Sequence, residues 1–207
     1  MRLPPRLLAL TPGTLRAGGE PALLAACSAA LEGGLRGILL REPALDERAF
    51  LALARALRRL LGGTDGGWLG VHDRGHLALL CGADGLHLGF RSLAPAQLPP
   101  AYRLLAVGLS AHAGDPASRW AGCDYLFFGP VRPTASKAGV LAPTGFDGLA
   151  QAAARAPSPV WALGGMTPED VPQALASGAR GVATLGGILS AADPGAAARR
   201  YAEAFPA

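Results

Sequence analysis

The chain has 207 residues but no asparagine, a single lysine and only three cysteines. The cysteines, Cys27, Cys81 and Cys123, are odd in number and widely spaced, with no Cys-x-x-Cys pair. Neither a disulfide framework nor a cysteine-bound zinc is expected, and reduced thiols in a cytoplasmic setting are the default. Aromatic residues make up only 6% of the chain. That gives no platform for stacking bases, and the arginines are scattered, so nucleic acid is not an expected partner. No apolar run reaches the roughly 18 residues of a membrane helix. The start, Met1 to Pro5, lacks the apolar core and small-residue cleavage site of a signal peptide, so no membrane is expected either.

What is present is an apolar chain. Half of its residues are hydrophobic and 16% are charged, enough to bury a sizeable core in one domain spanning residues 1–207 and to exclude disorder as the main state. The 29 glycines and 18 prolines then act as turns or as backbone that faces a ligand. The net charge of +4 suits small anionic ligands.

Eight short β-type runs recur along the chain: Arg6–Thr11, Gly37–Glu42, Trp68–Asp73, Gly85–Gly89, Leu104–Ser110, Tyr125–Pro130, Pro159–Gly164 and Gly181–Leu185. Several are continuously apolar, as strands covered on both faces must be. Amphipathic stretches alternate with them. Asp46–Leu61 begins at a capping aspartate. Thr167–Ala179 opens with a cap, a proline and two acids, and Asp193–Phe205 closes the chain. Weaker helices are expected after Asp73 and after Gly89. The pattern predicts a compact (β/α)8 TIM barrel, with a doubly wound open sheet as the alternative.

On a barrel, chemistry sits just past the strand ends. Arg41 there is suited to clamp a phosphate or carboxylate, unless it pairs with Glu42 to brace the rim. Asp73 offers a base or a metal ligand, unless it caps the next helix, and His72 offers a proton carrier. His87 reads as a core or rim histidine. Ser110 and His112 share a strand face. The long segment after the sixth run carries Thr134, Ser136 and Lys137 and reads as a lid or ligand clamp. The last two runs end in Gly164-Gly165 and Leu185-Gly186-Gly187, where backbone N–H groups can approach a phosphate closely.

These residues are similar to a known family. Gly-Ala-Asp-Gly-Leu-His-Leu-Gly at 82–89, with Phe-Gly-Pro-Val-Arg-Pro-Thr-Ala-Ser-Lys at 128–137 and Ala-Leu-Gly-Gly-Met at 162–166, resembles the thiamine-phosphate synthase/TenI superfamily along essentially the whole chain. The resemblance implies a (β/α)8 barrel and a phosphorylated thiazole as ligand. It implies phosphate contacts from Ser110, Thr134, Ser136, Lys137, Gly165 and Gly186, and leaves room for a homodimer or higher homo-oligomer.

Two activities occur in that superfamily. The synthase joins hydroxymethylpyrimidine pyrophosphate to thiazole phosphate with Mg2+. The TenI-type tautomerase isomerises a thiazole carboxylate phosphate without metal. Against the synthase pattern, Leu39 stands for a glutamine, Pro43 for a lysine, His72 for an asparagine and Ser92 for the second metal-binding aspartate, while Arg41, Asp73 and Arg74 match. Arg91-Ser92-Leu93-Ala94-Pro95 resembles the TenI branch, whose proposed catalytic histidine is here Pro130. The expectation is therefore a cofactor-free tautomerase in which His72 or His112 moves the proton with Asp73 in support. A synthase, with Asp73 on Mg2+, and a non-catalytic regulatory relative are the alternatives.

Overall fold

The computed structural model describes residues 2–16, 18–134 and 141–206. Eight parallel strands close into a barrel in sequence order. They are β1 (Leu7–Leu10), β2 (Gly37–Leu40), β3 (Trp68–His72), β4 (Gly85–Leu88), β5 (Ala106–Ala111), β6 (Tyr125–Phe128), β7 (Val160–Leu163) and β8 (Gly181–Thr184). The (β/α)8 expectation holds, and the open sheet is excluded because β8 pairs with β1, Leu8 opposite Ala183.

Alternation along each strand sorts the side chains into two cores. Leu8, Leu39, Trp68, Tyr125, Phe127 and Trp161 fill the barrel interior. Their neighbours Leu7, Ile38, Leu69, Leu126 and Val160 face the surrounding helices. Aromatics of this size fit inside only because glycines face them. A Cβ at Gly108 would overlap the Tyr125 ring, and one at Gly70 would lie 2.6 Å from Trp68. Gly108→Ala should therefore lower stability by about 1–3 kcal/mol, the usual cost of overpacking. Urea denaturation checks this, and an unchanged midpoint would show that the interior relaxes freely.

The described helices are α1 (Glu20–Glu32), α2 (Glu47–Gly62), α3 (Gly75–Leu80), α4 (Gly145–Arg155), α5 (Val171–Ala176) and α6 (Pro194–Glu203). Asp46 caps α2 by accepting from the Ala49 N–H at 2.8 Å, and Asp193 caps α6 through Ala196 at 2.9 Å. Two expectations change. The helix anticipated after Gly89 is a pair of 3-10 turns, Pro95–Gln97 and Pro100–Leu104, because Pro95, Pro99 and Pro100 remove donors a helix would need. The stretch from Thr167 is a 3-10 turn, Pro168–Asp170, followed by the short α5. No described helix is long and apolar enough to cross a membrane.

Candidate functional site

A cavity of about 920 Å3 opens at the carboxyl ends of the strands. Arg41, His72, Asp73, Ser110, His112, Thr134, Gly164, Gly165, Leu185, Gly186 and Gly187 all line it. They converge because each stands at or just past a strand end, and parallel strands deliver all those ends to one rim. Ser136 and Lys137 lie outside the described residues.

Asp73 is the electrostatic centre of one wall. Its backbone is left-handed, with φ of 62°, a conformation that aspartate and asparagine tolerate better than most side chains. It does not cap α3. Its carboxylate instead accepts from the Ser92 hydroxyl and the Gly89 N–H on one oxygen, and faces His72 Nδ1 at 3.0 Å on the other. Partial burial pushes the carboxyl pKa upward, but the hydrogen bond and charge of His72, with Ser92 and Gly89, outweigh it and hold the group at about 2.

A carboxylate with a depressed pKa stabilises the fold above its unfolded value of about 3.9, and that contribution is lost as pH falls toward the folded value. Asp73→Asn should therefore flatten the stability profile between about pH 4 and pH 2, read by thermal melts across that range. An unchanged slope there would mean that these contacts leave the carboxyl unperturbed.

Behind this wall His87, 1% exposed, stacks on Phe127 with ring centroids 4.3 Å apart and meets the Ser110 hydroxyl through Nε2 at 3.0 Å. Burial, reinforced by nearby His72, drives its pKa far below the usual range and keeps it neutral. Its Nδ1 has no hydrogen-bond partner among the described residues. Ser110 is thus positioned by His87, while His112 belongs to a different pair. The His112 N–H donates to Asp115 at 2.9 Å, and its Nδ1 is 3.8 Å from the same carboxylate.

Arg41 does not pair with Glu42. Glu42 is buried and accepts the Gly13 and Leu15 N–H groups at 2.9 and 2.8 Å, fixing the loop after β1. The Arg41 guanidinium packs where a Gly13 side chain would stand, and it lines the cavity. Arg74 is turned away, donating to the carbonyls of Pro43 and Leu45.

The glycine pairs have distinct reasons for being glycine. Gly164 and Gly165 have φ of 94° and 65°. A Cβ at Gly164 would sit 2.8 Å from Pro130, and one at Gly165 would overlap the Pro133 carbonyl. These two are therefore demanded by the loop after β6. Gly187 packs on Tyr201, whereas a Cβ at Gly186 would meet nothing within 4 Å. Other cavity residues escaped the sequence reading, namely Thr14, Phe90, Arg91 and Thr184. Of these only Arg91 carried a signal, a cation directly after the fourth run.

The fit of a magnesium ion turns on the donors near Asp73. Where a second carboxylate would stand, Ser92 donates to the first one, and no group of three or more His, Cys, Asp or Glu among the described residues is arranged to hold a metal. One ionised carboxylate, 47% exposed at its side chain, suits magnesium that arrives with substrate phosphates, since that ion commonly takes one or two protein carboxylates there.

A closed parallel barrel with an ionised carboxylate, guanidinium groups and glycine turns around one rim cavity is a (β/α)8 enzyme. The TMP-TENI family model, described as thiamine monophosphate synthase, matches residues 7–188, and the chain belongs to that family. A thiamine-phosphate synthase of Moorella thermoacetica is 37% identical over 196 residues, 92% of this chain and 91% of that protein. One of Anaeromyxobacter dehalogenans is 38% identical over 197 residues, 92% of this chain and 85% of that protein. The solved thiamine phosphate pyrophosphorylase of Pyrococcus furiosus superposes with a TM-score of 0.83 at 26% identity, covering 96% of this chain and 94% of that one. These relatives support the synthase alternative over the tautomerase expectation.

Proposed function

We propose that the enzyme is a thiamine-phosphate synthase, which joins hydroxymethylpyrimidine pyrophosphate to thiazole phosphate and releases pyrophosphate. The observation that supports this reading is that an ionised carboxylate and a pair of glycine turns stand on opposite sides of one cavity. Asp73 follows β3, and Gly164-Gly165 follow β7, the strand opposite β3 in a ring of eight. Thiazole phosphate sits with its phosphate against the backbone at Gly164, Gly165, Leu185, Gly186 and Gly187, with Thr134 beside it; the resemblance adds Ser136 and Lys137 as phosphate contacts. The pyrimidine diphosphate lies on the Asp73 side with Arg41.

In the reaction the thiazole nitrogen bonds to the pyrimidine methylene carbon. The C–O bond to diphosphate breaks, and its electron pair leaves with the diphosphate. A magnesium ion, held by Asp73 and the diphosphate, would supply charge neutralisation for that leaving group. Asp73 is kept ionised for this by His72, Ser92 and Gly89. Ser110, oriented by neutral His87, offers its hydroxyl to the reacting region without adding charge. Leu39 and Pro43, where the family pattern has glutamine and lysine, leave pyrimidine recognition to other residues.

Release of pyrophosphate that requires both substrates together is the expected result. Release that proceeds with the pyrimidine substrate alone would show hydrolysis instead. The tautomerase is the second reading, favoured by one feature, the His72–Asp73 pair at 3.0 Å, which is the arrangement of an oriented general base. Under that reading His72→Ala abolishes isomerisation of the thiazole carboxylate phosphate; retention of isomerisation in both His72→Ala and His112→Ala would remove both histidines from the role.

A further inference from the structure

We infer that Phe90 recognises the ring of the pyrimidine substrate, an assignment that deepens the synthase reading and rests on it. Phe90 is 65% exposed and lines the cavity. Leu79, Leu80, Leu93 and Leu104 are also exposed, but none of them lines it. Scattered apolar side chains on a surface need no explanation. An aromatic ring set into the wall of a cavity that also holds Arg41, Asp73 and Arg91, and left open to water, does.

The ring is held in place. The Arg119 guanidinium, from the 3-10 turn after β5, lies 5.1 Å from its centroid and donates to the Phe90 carbonyl at 2.9 Å. His112 stands edge-on with centroids 6.5 Å apart. Both contacts anchor the residue and leave most of the ring uncovered. On the other side, Phe90 follows Gly89, whose N–H donates to Asp73 at 3.3 Å and to Ser92 at 2.7 Å. The segment that carries Phe90 is therefore tied to the carboxylate assigned to the diphosphate.

One methylene group separates the diphosphate from the pyrimidine ring. With the diphosphate joined to Asp73 through magnesium, that ring lies toward the segment of Gly89, which is hydrogen-bonded to Asp73, and so toward Phe90. A flat, nitrogen-containing heterocycle stacks favourably on an aromatic face, and such a contact tolerates the absence of the hydrogen-bonding side chain that Leu39 replaces.

Two measurements test the assignment. Phe90→Ala should raise KM for hydroxymethylpyrimidine pyrophosphate about 10-fold, with KM for thiazole phosphate within about twofold of wild type and Phe90→Tyr restoring the wild-type value. Equal KM values for Phe90→Ala and wild type would overturn the assignment while leaving the synthase reading intact. The second measurement needs no turnover. Trp68, Trp120 and Trp161 are all fully buried, so Phe90→Trp introduces a solvent-facing indole with its own red-shifted, acrylamide-sensitive emission. Hydroxymethylpyrimidine pyrophosphate should shield it, and inorganic pyrophosphate should not. Shielding in a protein that makes no thiamine phosphate would support Phe90 and reject the synthase. Equal responses to the two probes would reject Phe90.

Discussion

Asp73→Asn is expected to slow thiamine phosphate formation about 100-fold or more, the scale of removing one electrostatic stabiliser of a developing charge. The substitution keeps the shape of the side chain. It also keeps the left-handed backbone, φ 62°, which asparagine accepts as readily as aspartate. What disappears is the negative charge that His72, Ser92 and Gly89 together hold ionised. The fold should survive, because the carboxylate sits at a rim and is half-exposed. Far-ultraviolet circular dichroism and steady-state rates on the same preparation separate the two effects. A variant that folds normally and turns over within a few fold of wild type would exclude Asp73 from the chemistry.

Gly186→Asp is expected to weaken thiazole phosphate binding about 100-fold, because a carboxylate facing a phosphate costs several kcal/mol when desolvated. Gly186 is the clean position for this test. Gly165→Asp would confuse two causes, since any side chain there strains a positive φ and collides with Pro133. At Gly186 an added Cβ meets nothing within 4 Å and the residue is exposed, so thermal stability should change little. Isothermal titration of the wild type and the variant gives the ratio. Unaltered affinity in Gly186→Asp would move the phosphate away from the β8 end of the cavity.

The strands were legible because a barrel strand is covered on both faces, so its sequence is a short apolar run between glycines. All eight runs contain the observed strands, except that the fifth run stops at Ser110 while β5 continues to Ala111. The helix expected after Gly89 was misread because its apolar content resembles a helix face, whereas three prolines force 3-10 turns. Gathering of Arg41, Asp73, Ser110 and the glycine pairs at one rim followed from strand direction alone.

Their partners did not follow. Glu42 beside Arg41 reads as an ion pair in sequence, yet it reaches back to Gly13 and Leu15 on the neighbouring β1 loop. His87 meets Ser110 because β4 pairs with β5 in a register that sets His87 beside Gly108, a fact with no local signal. In sequence Asp73 reads as a base or metal ligand or else as a helix cap, and the Ser92 and Gly89 that hold it come from the loop after β4. Phe90 lacked a sequence signal, since an exposed aromatic and a buried one have the same letter.

The central claim is that the two regions of the cavity hold two substrates for one coupling reaction. Incubation of the purified protein with hydroxymethylpyrimidine pyrophosphate, thiazole phosphate and Mg2+, followed by chromatographic detection of thiamine phosphate, tests it most directly. Thiamine phosphate should form in proportion to enzyme and time, with one pyrophosphate released per product. No thiamine phosphate from a protein that binds thiazole phosphate would contradict it.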